Sequence, residues 1–257
     1  MTVRKPVKLA LMLVAAAVGL GLPIGSVRAQ SASDSFTGTQ RKAIEEIVRE
    51  YLRDNPDVLI EALQGFRVRQ EAEAKKQAEM ALEAKRNELL NDPSTPVAGN
   101  PQGDVTVVEF FDYRCGYCKR VFPVVNDLLK SDPKIRYVLK ELPILGPESD
   151  AASRAALAAW RLDKGKYLPL RNALMETKGN LPLSKILQIA SGVGLDAAKL
   201  QKEMNDPAVE TMIDKNRALA QALGISGTPA FIIGKQLAPG AIDLDTFRQL
   251  VAAARKG

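Results

Sequence analysis

Cys115 and Cys118 are the only two cysteines in a chain of 257 residues that has no histidine. They lie in Val107-Val-Glu-Phe-Phe-Asp-Tyr-Arg-Cys-Gly-Tyr-Cys-Lys119, an apolar run that reads as a strand breaking into a helix at the first sulfur. A sulfur at a helix N-terminus faces unpaired backbone N–H groups and the positive end of the helix dipole. Its thiolate is stabilised, and it becomes a nucleophile near neutral pH. The second cysteine follows one turn later, within bonding reach of the first. This pattern predicts thiol-disulfide exchange.

Other uses of two cysteines fit less well. A structural disulfide here would close a four-residue ring and remove only about 2 kcal/mol of unfolded-chain entropy, against roughly 3 kcal/mol for a fifteen-residue loop. A closed zinc site needs about four ligands, and the chain offers neither histidine nor a second cysteine pair. Cu(I) accepts thiolate ligands, so a copper site on Cys115 and Cys118 stands as an alternative.

The first 29 residues place Arg4, Lys5 and Lys8 before an apolar stretch from Leu9 to Leu22, then breakers at Pro23 and Gly25 and small residues up to Ala29. This is the pattern of a secretory leader cleaved after Ala29, and the apolar stretch is short of the roughly 20 residues of a bilayer span. The formal charge is +6, from 36 basic and 30 acidic residues. Four of the basic residues and none of the acidic ones lie in the leader, so the remainder is near neutral and gives no reason to expect a nucleic-acid partner. Export, with the periplasm as destination, also suits a disulfide.

Residues 30–92 read as a helical stalk and connector. Ile44, Ile47, Val48, Tyr51 and Leu52 recur at helical spacing. Asp54-Asn55-Pro56 interrupts them, with Asn55 expected as N-cap and Pro56 as first residue of a second helix. That helix presents Leu59, Ala62, Leu63 and Phe66 and then consists almost wholly of strong helix formers, so it is expected to run unbroken from Pro56 to Leu90. An apolar stripe that thins into charge suits a segment for oligomerisation, Ile44 to Phe66, better than a cap folded onto one globule.

The elements of residues 93–257 must position the two sulfurs. A breaker-rich linker leads to Val105–Phe111, apolar enough for a strand buried on both faces, and Ile135–Leu139 is a second strand. A helical stretch from about 147 to 224 follows. Thr228-Pro229-Ala-Phe-Ile-Ile-Gly234 then gives a turn and a buried strand, and Asp243 to Ala254 a closing amphipathic helix. Pro123 falls inside the helix after the cysteines, as a structural kink. The fold class is α/β.

Two segments far apart in the chain, Phe-Phe-Asp-Tyr-Arg-Cys-Gly-Tyr-Cys-Lys and Gly-Ile-Ser-Gly-Thr-Pro-Ala-Phe-Ile-Ile-Gly, resemble the motifs of thioredoxin-fold oxidoreductases of the DsbA-like family. The resemblance runs from about Pro96 to the end and implies a thioredoxin fold with an inserted helical subdomain. With the stalk included, the chain is similar to the suppressor of copper sensitivity protein C group, which contains trimeric disulfide isomerases. The resemblance implies that Cys115 attacks, that Cys118 resolves the mixed disulfide, and that Pro229 is a cis-proline opposite the sulfurs. It implies too that the backbone of Thr228 pairs with an extended substrate. Glu109, six residues before Cys115, matches an acidic residue that moves protons for the deeper thiol, with Lys140 as a candidate partner.

Strongly oxidising relatives carry a histidine between the cysteines, where this chain has Gly116 and Tyr117, the dipeptide of disulfide isomerases. Gly116 brings no side chain to steady the thiolate. The helix dipole, Lys119 and backbone donors are left to do so, and Tyr117 is a candidate substrate contact. The expected activity is that of an isomerase or reductase acting on unfolded or misfolded exported proteins, with no cofactor beyond the Cys115–Cys118 pair. A membrane electron donor of the DsbD or ScsB type and a homo-oligomer, a trimer by resemblance, are the expected partners. A dithiol oxidase, and a Cu(I)-binding or chaperone protein, are the competing expectations.

Overall fold

The computed structural model describes residues 36–256; the expected leader lies outside them. Among the described residues no helix is long and apolar enough to cross a membrane. The described residues divide into two compact units, with the boundary between Gln64 and Gly65.

In the first unit, α1 (Gly38–Asp54) starts from a capping box: the Thr37 hydroxyl accepts from Gln40 N–H, and Thr37 N–H donates to the Gln40 side chain at 2.9 Å. None of its residues is buried. Helix α2 (Pro56–Ala84) opens with Asp57 in its first turn. The side-chain amide of Asn55, expected as N-cap of α2, donates back to the Tyr51 carbonyl at 2.9 Å, so Asn55 closes α1. Ile44, Ile47, Val48, Tyr51, Leu59 and Leu63 are all exposed.

The second unit begins within α2, at Gly65, and contains the remaining elements, and the expected single helix to Leu90 ends early. After Ala84 the chain leaves helical geometry at Lys85 and resumes as α3 (Arg86–Leu90). The break turns Leu89 inward: Leu82 and Leu89 are buried with Val108, Phe110 and Val138. The portion nearest Leu90, assigned from sequence to the connector, thus covers one face of the sheet.

That sheet has five strands in the order β1-β3-β2-β4-β5: β1 (Val97–Gly99), β2 (Val105–Phe111), β3 (Ile135–Glu141), β4 (Ala230–Ile233) and β5 (Gln236–Pro239). β2 pairs parallel with β3 and antiparallel with β4, which puts the most apolar segment at the centre. β1 and β5 were not foreseen. Each is short and lies at an edge, and β1 sits in the Gly- and Pro-rich stretch that the sequence marks as linker. Gly99 ends β1 at φ +67°, where a Cβ would press on the Ile135 carbonyl oxygen.

Alternation along β2 divides the core. Val107, Glu109 and Phe111 face α4 (Gly116–Ser131) and the helical insertion, whereas Val108 and Phe110 face Leu82 and Leu89. The insertion comprises α5 (Pro147–Leu162), α6 (Lys164–Glu176), α7 (Leu183–Gly192), α8 (Ala197–Met204) and α9 (Pro207–Ala222). α10 (Leu244–Lys256) closes the unit, with Phe247 edge-on to Phe231 of β4 at 4.8 Å. Pro123 lies inside α4, as expected.

Candidate active site

β2 ends at Phe111, and four residues later Cys115 caps α4. Asp112 makes this short connection rigid. Its carboxylate accepts from the N–H of Arg114 at 2.7 Å, of Ile144 at 2.9 Å and of Leu145 at 3.1 Å, and from the Ser149 hydroxyl at 2.7 Å. The first turn of α4 is thereby tied to the loop after β3 and to the start of α5. Sequence reasoning passed over Asp112, although an acid directly after an apolar strand and before the cysteines is a visible signal.

Cys115 and Cys118 are free thiols, both buried. The Cys118 N–H donates to Cys115 Sγ at 3.4 Å, the N-cap interaction with sulfur as acceptor. The thiol of Cys115 reaches the Thr228 carbonyl oxygen at 3.1 Å. The Thr228–Pro229 peptide bond is cis, and Pro229 is buried. The two motifs therefore meet, although 113 residues separate the bonded pair.

The two sulfurs are driven apart in acidity. The Cys118 thiol, first of all, lowers Cys115 to about 5 by hydrogen bonding; burial opposes it, and the Thr228 side chain and the backbone N–H groups of Cys118 and Tyr117 assist. Cys118 moves the other way: burial, its bond to Cys115 and the nearby Glu109 carboxylate all raise it far above the ordinary thiol range. At neutral pH the pair is one thiolate and one thiol, the distribution that an attacking and a resolving sulfur require.

Lys119 is not part of this stabilisation. Its ammonium turns to the end of α6, donating to the carbonyls of Leu174 and Thr177. Gly116 is exposed and a Cβ there would meet nothing within 4 Å. Tyr117 is 58% exposed, with the Arg120 guanidinium 4.8 Å above its ring. Beside it opens a largely apolar cavity of about 640 Å³, lined by Tyr117, Val121, Ile225, Thr228, Pro229 and Ile242 among others.

Glu109 is completely buried on the same side of the sheet as Cys118. Arg171 Nη2 of α6 and the Tyr137 hydroxyl of β3 both donate to its Oε2, at 2.8 and 2.9 Å. Burial raises Glu109 above its ordinary range, while the Arg171 charge pulls it down. Lys140, the partner suggested by sequence, is not there. The β2–β3 register sets Lys140 beside Phe110, on the opposite face, where its ammonium donates to Thr95 Oγ1 at 2.7 Å and to the Glu88 carbonyl at 3.1 Å. A shift of one residue in a strand changes the face, and that parity decides between Arg171 and Lys140.

A further buried carboxyl, Glu141, was not foreseen either. Tyr113 and Tyr167 donate to its Oε1 at 2.8 and 2.9 Å, and Ser153 to its Oε2 at 2.9 Å. Burial raises it to about 8 against those donors. The signal for Arg171 is in the sequence: Tyr167, Leu170, Arg171 and Leu174 share one buried helical face, with a cation among apolar residues.

Comparison with known proteins agrees with this geometry. Residues 106–252 match the DSBA-like thioredoxin domain family, and residues 40–73 the copper resistance protein ScsC N-terminal domain. A thioredoxin-like oxidoreductase from Silicibacter pomeroyi DSS-3 is 48% identical, with a TM-score of 0.65 over 67% of this chain and 98% of its own. Proteus mirabilis ScsC in a transitional conformation is 30% identical, with a TM-score of 0.65 over 86% of this chain and 99% of its own. The thiol:disulfide interchange protein DsbA of Bordetella parapertussis is 28% identical over 54% of this chain and 68% of its own length. The chain also matches a Na(+)/H(+) antiporter of Salinispora arenicola at 29% identity over 63% of its residues, spanning only 25% of that curated relative. With a paired thiolate and thiol at the start of α4 and the family match across the domain that holds them, the chain belongs to the DsbA-like thioredoxin family of thiol-disulfide oxidoreductases.

Proposed function

We propose that this protein is an exported disulfide isomerase or reductase that works on misfolded periplasmic proteins as an oligomer, with a trimer favoured. The observation that carries the reading is the apolar surface of α1 and early α2. Ile44, Ile47, Val48, Tyr51, Leu59 and Leu63 stay exposed over helices that bury none of them, so a further copy of the chain is the natural cover. The match of residues 40–73 to the ScsC N-terminal domain supports the same assignment. Several active sites held around one substrate suit repeated exchange.

In this reading the Cys115 thiolate attacks a substrate disulfide, forming a mixed disulfide and releasing one substrate thiolate. For isomerisation a substrate thiolate then attacks the mixed disulfide and returns Cys115 as thiolate, with no net redox change. For reduction, Cys118 gives up its proton and attacks Cys115 Sγ; the Cys115–Cys118 disulfide forms and the second substrate thiolate leaves. Pro229 and Thr228 line the face opposite the sulfurs, with the Thr228 backbone pairing with extended substrate. The cavity beside Tyr117 takes apolar side chains of an unfolded chain. Glu109 receives the proton of Cys118. No group beyond the dithiol is needed, and a membrane electron donor of the DsbD or ScsB type would return it to the reduced state.

One observation favours a second reading. Cys115 at about 5 stabilises the reduced form, a property of dithiol oxidases. Refolding of a scrambled-disulfide substrate in a glutathione buffer, by the leaderless chain and by the same chain shortened to Gly65, separates the two. Isomerisation lost on shortening supports the oligomeric isomerase; oxidation of dithiols alone, unchanged by shortening, supports the oxidase. Cu(I) held by Cys115 and Cys118 is the remaining alternative, tested by titration with a competing Cu(I) chelator.

A further inference from the structure

Arg171 comes from the helical insertion and is buried beneath the active site, where its guanidinium is held against the rings of Phe111 at 4.9 Å and Phe122 at 5.2 Å. A cation in such a place is expensive unless paired. Its partner is Glu109, and the pairing is lopsided. Arg171 Nη2 and the Tyr137 hydroxyl converge on the same oxygen, Oε2. Glu109 Oε1 is buried with no hydrogen-bond partner, and so is Arg171 Nε.

Glu141 provides the contrast. Both of its oxygens are already engaged, by Tyr113, Tyr167 and Ser153. Glu109 Oε1 accepts no hydrogen bond, so a proton arriving there disturbs none. Of the buried carboxyls Asp112, Glu109 and Glu141, only Glu109 has an oxygen with no hydrogen-bond partner.

We propose that Arg171 is a positioning residue: by holding Oε2, it leaves Oε1 of Glu109 open, and so sets the pH at which Glu109 accepts the proton of Cys118. In that step the S–H bond of Cys118 breaks and its proton passes to Oε1. The electron pair forms the Cys118–Cys115 bond, and the bond between Cys115 and substrate breaks with its pair leaving on the substrate sulfur. The proposal rests on the thiol-disulfide reading above and adds to it that the insertion tunes the exchange. The titratable groups around Glu109 are Cys115 and Cys118 of α4, Tyr137 and Glu141 of β3, Tyr113 after β2, and Tyr167 and Arg171 of α6.

The test is the pH dependence, from 5 to 9, of resolution of a mixed disulfide with glutathione, followed by rapid acid quench and mass spectrometry. It compares the unaltered full chain with Arg171→Met, Arg171→Lys and Tyr137→Phe. Without the guanidinium Glu109 holds its proton to higher pH, so the midpoint for Arg171→Met moves upward by about one unit and resolution on the acid side of the midpoint slows about tenfold. Arg171→Lys restores most of the rate. Tyr137→Phe, which leaves the ion pair in place, gives a smaller shift in the same direction and carries the test alone should Arg171→Met not fold. Alkylation of Cys115 keeps its own midpoint throughout. A uniform slowing at every pH, or an unshifted profile, overturns the positioning role. Failure of the unaltered protein to exchange with any disulfide would instead remove the thiol-disulfide reading.

Discussion

Cys115 Sγ lies 3.1 Å from the carbonyl oxygen of Thr228, so the sulfur that caps α4 and the cis-proline turn lie side by side although they come from opposite ends of the domain. The sulfur is also held by the first turn of its own helix and faces the Cys118 thiol. The Cys118 thiol, then the Thr228 side chain and the backbone N–H groups of Cys118 and Tyr117, lower its pKa against burial.

The thiolate of Cys115 is therefore expected to titrate at about 5, followed by absorbance at 240 nm or by the pH dependence of alkylation. Thr228→Val removes one hydroxyl from this set and is expected to raise the midpoint by under about one pH unit, the scale of a single hydrogen bond. An unshifted midpoint would mean that the Thr228 side chain takes no part.

The same acidity links redox state to stability. The Cys115 thiol is depressed from 9.0 to about 5 in the folded chain, so its contribution is fully present above pH 9 and is lost as the pH falls through 5. Cys118 is raised, stays protonated across that window, and works against stability only above the ordinary thiol range. The expected result is a Tm of the reduced protein that exceeds that of the oxidised protein by a margin shrinking from pH 9 to pH 5. Calorimetry of the two forms reads it, and a constant margin would contradict the assignment.

Lys140 offers a control on the other face of the sheet. It is buried against Thr95 and the Glu88 carbonyl, and burial lowers it to about 8. Lys140→Met is expected to leave the exchange rate within about twofold and its pH profile unshifted, since its charge lies across the sheet from Glu109. Stopped-flow exchange with a small disulfide is the measurement. A shifted profile would restore Lys140 to the site.

Truncation should respect the structural boundary. Removing residues up to Gln64 is expected to lower the oligomer mass in light scattering while leaving the Tm of the catalytic unit nearly unchanged. Removing residues up to Asp92 takes Leu82 and Leu89 from their places over Val108 and Phe110 and should destabilise strongly. Leu89→Ala alone is expected to cost about 2–5 kcal/mol in urea unfolding, as for other buried leucines.

What the sequence determined is local. Two cysteines one turn apart after an apolar strand predicted the dithiol, because hydrophobic runs and helix starts are written in adjacent residues. The same holds for β2, β3, β4, the helical insertion and α10, each visible as a run or a period. The edge strands β1 and β5 escaped because three or four residues carry little pattern, and their hydrogen bonds come from neighbours distant in sequence. The break at Lys85 escaped because nearly every residue around it favours helix; burial of Leu82 and Leu89 against the sheet decided it. Glu109 was legible as an oddity in an apolar strand, but its partner was not. Lys140 and Arg171 are both cations, and only strand register and the packing of α6 put Arg171 beside Glu109 and Lys140 across the sheet. Which charges share one low-dielectric space is a property of the packed interior, where a step of one residue along a strand reverses the answer.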